Sequence, residues 1–113
     1  MREPSGHLEV GVEAATAETT VIRADGELDM ATVGKLEEAL QPVAHDRGII
    51  IDLTQCTFLD SSAVRVLVAT SRAVGEAGGT LALVASNPTI LRVLEIAAVD
   101  TMMPVHATVD QAL

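Results

Sequence analysis

At 113 residues the chain has room for one ordinary domain and not for two. Apolar residues make up 49% and aromatics 1%, Phe58 being the only one, so a core filled with Val, Ile, Leu and Ala is expected, which favours stacked layers of helix and sheet over a small aromatic-centred barrel. Sixteen acidic residues against seven basic ones leave a net charge of −9, which repels phosphate backbones and anionic lipid; without Tyr or Trp platforms for bases, no nucleic acid partner is expected, and a protein with a basic or apolar face is favoured.

Residues 1–6, "MREPSG", read as a flexible tail, and residues 7–113 as a single domain. "HLEVGV" puts Leu8, Val10 and Val12 on one face, which predicts a half-buried strand. "EAATAET" is then a turn and "TVIRADG" the strand that returns beside it as a hairpin. In "MATVGKLEEALQPV", Val33, Leu36, Leu40 and Val43 fall at helical spacing and leave Lys35, Glu37 and Glu38 to water. Either Asp29 or Thr32 caps this helix, and Pro42, which lacks an N–H, kinks or ends it. "GIIIDL" is the continuous apolar run of a strand covered on both faces. "AVRVLVATSRAVGEAGG" predicts a helix with Val64, Leu67, Val68 and Ser71 on its inward stripe, stopped by Gly78-Gly79.

"TLALVA" is another buried strand, and Asn87-Pro88 opens a helix through "TILRVLEIAAV", with a capping side chain followed by proline at the first helical position. "MPVHA" reads as a short edge strand, and Thr108 with Gln111 forms a capping box before a final helical turn. The order β, β, α, β, α, β, α, β, α predicts an α/β fold whose later strands are mostly parallel. Cys56 is the only cysteine, so no internal disulfide can form, which fits a reducing compartment. "MREPSGHLEV" has no apolar signal segment and no stretch approaches the ~20 apolar residues of a span, so a cytoplasmic location without direct membrane insertion is expected.

The chemistry concentrates where the "IIIDL" strand gives way to the next helix, at Asp60-Ser61-Ser62. If that helix begins after Leu59, Asp60 is its N-cap and the serines are its first two residues. Its first N–H groups lack helical partners, and this end carries about half a positive elementary charge. A hydroxyl there is expected at the mouth of the sheet, where an added phosphate would meet free donors. Phosphorylation would bring roughly −1.5 to −2 charges beside Asp60, altering the local field more than the fold. Plain capping is the ordinary role of Asp and Ser at such a place.

Enzymatic readings find little support. "LDSSAV" lacks the Gly-x-Ser-x-Gly turn of a serine hydrolase, and His7, His45 and His106 are remote in sequence. An aspartyl phosphate site needs clustered carboxylates and a nearby lysine, whereas Asp52 and Asp60 flank the strand end and the only lysine, Lys35, sits on a helix surface. No catalytic residue, cofactor or metal is expected. Cys56 reads as a small loop or core residue, the lone Phe58 as core ahead of a partner anchor beside the serines, and the Met102-Met103 pair as gap filler.

Four segments, "GELDMAT", "IIIDLTQCTFLDSSAVRVLV", "GGTLALVASNPTILRVLEIAAVD" and "MMPVHATVDQAL", together resemble the sulfate transporter and anti-sigma factor antagonist (STAS) domain, in particular the stand-alone bacterial anti-sigma factor antagonists. The resemblance implies a central four- to five-stranded mixed sheet with about four helices packed mainly on one side. It also implies that Ser62, the second serine, is phosphorylated by an anti-sigma factor that is itself a serine kinase. The unphosphorylated protein would bind that kinase and free its sigma factor, and a PP2C-like phosphatase would restore the binding form. The implied contact surface comprises Asp60, Ser61, Ser62, Ala63 and Arg65, with Asp29 nearby, on a monomer or weak dimer. The family usually has glycine where this chain has Ala63, which would set a methyl group beside a kinase's approach to Ser62. A second reading within the same resemblance is a subunit of a stress-signalling scaffold or of an ABC-type membrane transport complex.

Overall fold

Alternating and continuous apolar runs assemble here into one mixed sheet. The computed structural model describes residues 7–113, so the expected tail lies outside the described residues. The chain runs β1 (Leu8–Ala14), β2 (Thr19–Leu28), α1 (Val33–Leu40), β3 (Gly48–Asp52), β4 (Cys56–Leu59), α2 (Ser61–Glu76), β5 (Thr80–Val84), α3 (Pro88–Ile96), a 3-10 turn at Val99–Thr101, β6 (Val105–His106) and α4 (Val109–Ala112). The hairpin of β1 and β2 is antiparallel, and β3, β5 and β6 add to it in parallel in the order β1-β2-β3-β5-β6. No helix among the described residues is long and apolar enough to cross a membrane.

The sheet has six strands, one more than the upper expectation, and the addition has a simple cause. β2 is 10 residues long and β3 only 5, and their pairing stops at Arg23 and Asp52. The end of β2 therefore needs another ladder partner for its backbone groups. β4 supplies it, pairing in parallel with Gly26, Glu27 and Leu28. Within that pairing the register shifts between Gly26, whose φ is +125°, and Glu27, so that Thr57 is skipped. "CTFL" carries no clean alternation, so the strand exists because its neighbour is too long.

Helices α1 to α3 cover one face. Their Leu36, Leu40, Leu67, Val74, Ile90 and Leu94 join Ile22, Ile49, Ile51, Leu81 and Leu83 in the main core. The short α4 covers the opposite face, where Val109 and Ala112 pack on Val21, Ile50 and Val84. The Ile49-Ile50-Ile51 run thus divides between two cores, as period-two alternation requires of a strand buried on both sides. The inward stripe of α2 is rotated from the expected one. Ala63, Leu67, Thr70 and Val74 are buried, while Val64, Val68 and Ser71 are only half-buried. Thr70 tolerates burial because its hydroxyl donates to the Val66 carbonyl at 2.7 Å. Of the Met102-Met103 pair only Met103 fills the core; Met102 is exposed.

Cys56 is buried, as expected of a core residue, and its thiol donates to the Phe58 carbonyl at 3.2 Å. Burial pushes this thiol above its ordinary pKa. A thiol-specific reagent should therefore modify the native protein at least about tenfold more slowly than the urea-unfolded chain, because the thiolate is the nucleophile. A stopped-flow or colorimetric time course would check this.

The two glycines after α2 do different work. Gly78, with φ +89°, makes the left-handed stop. Gly79 is needed for close approach, because a Cβ there would overlap the carbonyl oxygens of His45 and Arg47. Gly79→Ala should cost about 1–3 kcal/mol in urea denaturation. Gly34→Ala, in open space on α1, should instead raise stability by about 0.5–1 kcal/mol.

Candidate partner-docking site

The site is built from the end of β2, the end of β4 and the start of α2. The Asp60 N–H donates to the Leu28 carbonyl at 3.2 Å, extending the β2–β4 ladder by one bond. With extended backbone at φ −113° and ψ −174°, Asp60 is the N-cap of α2, as expected. Its Oδ1 accepts the N–H groups of Ser62 at 2.9 Å and Ala63 at 3.2 Å. Its Oδ2 accepts the Met30 N–H at 3.2 Å, from the turn between β2 and α1. One carboxylate thus closes the helix end and ties it to a segment 30 residues earlier.

That turn is also tightly bonded. Asp29 Oδ1 accepts the N–H groups of Ala31 at 2.9 Å and Thr32 at 3.0 Å. The buried Thr32 hydroxyl accepts the Asp29 N–H at 3.0 Å and donates to the Glu27 carbonyl at 2.6 Å. Neither candidate side chain caps α1, contrary to expectation, because both are bonded within the turn. Thr32 occupies the N-cap position of α1 without a side-chain bond into the helix, and Asp29 closes the turn ahead of it. The Asp29 carboxylate is half-buried and engaged locally, so its role at the site is to shape this turn.

The two serines differ. Ser61 is exposed and Ser62 half-buried, so the hydroxyl at 62 is less open than expected. Successive helical residues point about 100° apart, so the two side chains leave α2 on different sides. Ser61 borders a cleft of about 290 Å3 between α2 and α3, walled by Leu59, Val64, Val93, Ile96 and Ala97. Ser62 lies one turn before Val66, on the flank of α2 that faces a larger groove of about 720 Å3 beside α1. The exposed Arg65 lines that groove with Glu37, Glu38 and His45.

Two expectations are corrected by this geometry. Ala63 is 0% exposed and belongs to the main core. Its methyl faces inward, so it neither offers a contact to a partner nor crowds an approach to Ser62. The helix end also offers fewer free donors than expected. Asp60 takes the N–H groups of Ser62 and Ala63, and the Val64 N–H already bonds the Asp60 carbonyl at 3.1 Å. A phosphate on Ser62 would meet a neighbouring carboxylate instead of a vacant cradle.

Apolar residues at this end of the molecule are more open than the sequence reading had them. Phe58, expected in the core, is 49% exposed, and Met30 is 79% exposed. β4 pairs only with β2, so the outward side chain of Phe58 has no strand beside it to cover it. The signal was the position of Phe58 beside the serines, which offered it as an anchor and was weighed below the core.

Residues 12–112 match the family model described as the STAS domain. An anti-sigma-B factor antagonist of Staphylococcus aureus is 31% identical over 87 residues, covering 75% of this chain and 81% of the relative. The crystal structure of an anti-sigma factor antagonist from Mycobacterium paratuberculosis is similar with a TM-score of 0.85 at 30% identity, covering 94% of this chain and 91% of that one. The structure of the Bacillus cell fate determinant SpoIIAA in its phosphorylated form is similar with a TM-score of 0.69 at 28% identity, covering 92% of this chain and 96% of that one. Matched along most of its length by the family model, and built as a mixed sheet that delivers Asp-Ser-Ser to the start of α2, the chain belongs to the STAS domain family.

Proposed function

We propose that this protein is an anti-sigma factor antagonist that acts by docking, without catalysis of its own. In the cytoplasm, its unphosphorylated form binds a serine-kinase-type anti-sigma factor over the start of α2 and so frees the sigma factor. Phosphorylation of Ser62 by that kinase ends the interaction, and a PP2C-like phosphatase restores it. The observation that carries this reading is the bonding of Asp60, which holds Ser62 at a capped helix start where the N–H groups of Ser62, Ala63 and Val64 are already taken. Relatives described as anti-sigma factor antagonists, and one solved in a phosphorylated form, support it.

The switch follows from charge. A phosphoryl group adds about −1.5 to −2 charges beside the Asp60 carboxylate, on a chain whose net charge is already −9. With the local N–H groups committed to Asp60, little at the helix end offsets that charge. A partner surface complementary to a hydroxyl would have to desolvate the dianion, at a cost of several kcal/mol. The Asp60 network holds α2 in place meanwhile, so the effect is lost docking rather than unfolding.

Ser62→Ala should bind the cognate kinase as tightly as the unmodified protein in the presence of ATP, and Ser62→Glu at least about tenfold more weakly. Titration calorimetry would measure both, and equal affinities would exclude the switch. Intact-mass analysis after incubation with ATP and kinase should show one added phosphoryl group that maps to Ser62. For the scaffold itself, Asp60→Ala should lose about 0.5–2 kcal/mol in urea denaturation, and Asp60→Asn less, since asparagine caps nearly as well as aspartate.

A further inference from the structure

The flank of α2 that carries Ser61 is apolar in a way the phosphorylation switch does not require. The cleft beside Ser61 is walled by Leu59, Val64, Val93, Ile96 and Ala97, and its polar groups are the Ser61 hydroxyl and Asp60. The side-chain oxygens of Asp60 already accept three N–H bonds, so this carboxylate makes a small demand on other partners. Ile96, the last residue of α3, stands at the cleft 72% exposed. Scattered exposed hydrophobics are normal on a protein surface. Here an exposed isoleucine walls a concave apolar site that shares Ser61 and Asp60 with the docking surface.

We propose that this cleft receives one apolar side chain, branched aliphatic or phenyl, from the anti-sigma factor kinase, and that Ile96 is the contact that anchors it. The inference rests on the docking reading above and adds to it a second, apolar foothold on the other flank of α2. At about 290 Å3 the cleft falls at or below the small end of small-molecule pockets and suits a single anchoring side chain. Its continuity with Ser61 means that a partner lying across the helix start covers both. The flanking charge points to the same occupant. Asp60 is the one charged residue that lines the cleft, exposed Glu95 adjoins Ile96, and exposed Arg92 stands one helical turn before it, on a chain whose net charge is −9. The complementary surface is therefore an apolar residue with a mixed rim, basic toward Glu95 and acidic toward Arg92, the arrangement of an interface anchor with a charged rim.

The test measures affinity for candidate kinases from the same genome, by calorimetry with and without adenine nucleotide, for wild type, Ser62→Glu, Ile96→Ala and Ile96→Asp. Ile96 is largely in water, so both variants at 96 should keep the wild-type urea midpoint. Ile96→Ala should weaken binding about tenfold and Ile96→Asp about thirtyfold or more, the size expected of an interface hot spot. Arg23→Ala, on β2 away from this end of α2, should bind as wild type. If wild type binds and Ser62→Glu does not, while both variants at 96 bind within twofold of wild type, the cleft proposal is overturned and the docking reading stands. If wild type binds no kinase, both fall. If Ile96→Asp turns a dimer into a monomer by light scattering with kinase affinity unchanged, the cleft belongs to a second copy of the chain and the proposal is likewise overturned.

Discussion

The Asp60 carboxylate accepts backbone N–H groups from the first turn of α2 and from the β2–α1 turn, and the geometry of the docking end follows from that bridge. The bridge in turn depends on a mismatch in strand length. β2 outruns β3, β4 fills the vacancy along its end, and the ladder bond from Asp60 to Leu28 fixes where extended chain stops and α2 begins. The end of β2 with its turn and the junction of β4 with α2, 30 residues apart at Met30 and Asp60, are thereby locked together at one end of the sheet.

This arrangement would let a small domain carry the proposed charge switch without losing its fold. The residues that shape the site, Asp29, Thr32, Asp60 and Ala63, satisfy backbone groups or fill the core. Those proposed to meet a partner, Ser61, Ser62, Arg65 and Ile96, and the neighbouring Met30 and Phe58, are exposed or half-buried. On the proposed reading, an alteration at Ser62 would therefore act on what lies outside the domain. Support and recognition are divided between neighbouring positions, since adjacent helical residues face different ways.

Much of this was legible in the residues themselves, for reasons that can be named. The Ile49-Ile50-Ile51 run has no solvent-facing period, so it can only be a strand covered twice. Asn87-Pro88 and the pair Thr108 and Gln111 set helix starts through bonds made within a few residues, and the structure contains them. Asp60 as an N-cap is the same kind of local signal. Less legible was the inward stripe of α2, because Thr70 reads as polar until its hydroxyl finds the Val66 carbonyl.

By itself, then, the sequence determined the alternation of strands and helices, the composition of the core, and the Asp-Ser-Ser helix start, because each depends on periodicity or on contacts within one turn. Tertiary structure alone decided that β4 exists, that Ala63 points inward, that Phe58 and Ile96 stay in water, and that Asp60 reaches Met30. These outcomes depend on which segment lies beside which once the sheet has closed. That is settled by unequal strand lengths and by packing between residues far apart in the chain, and no local pattern records it.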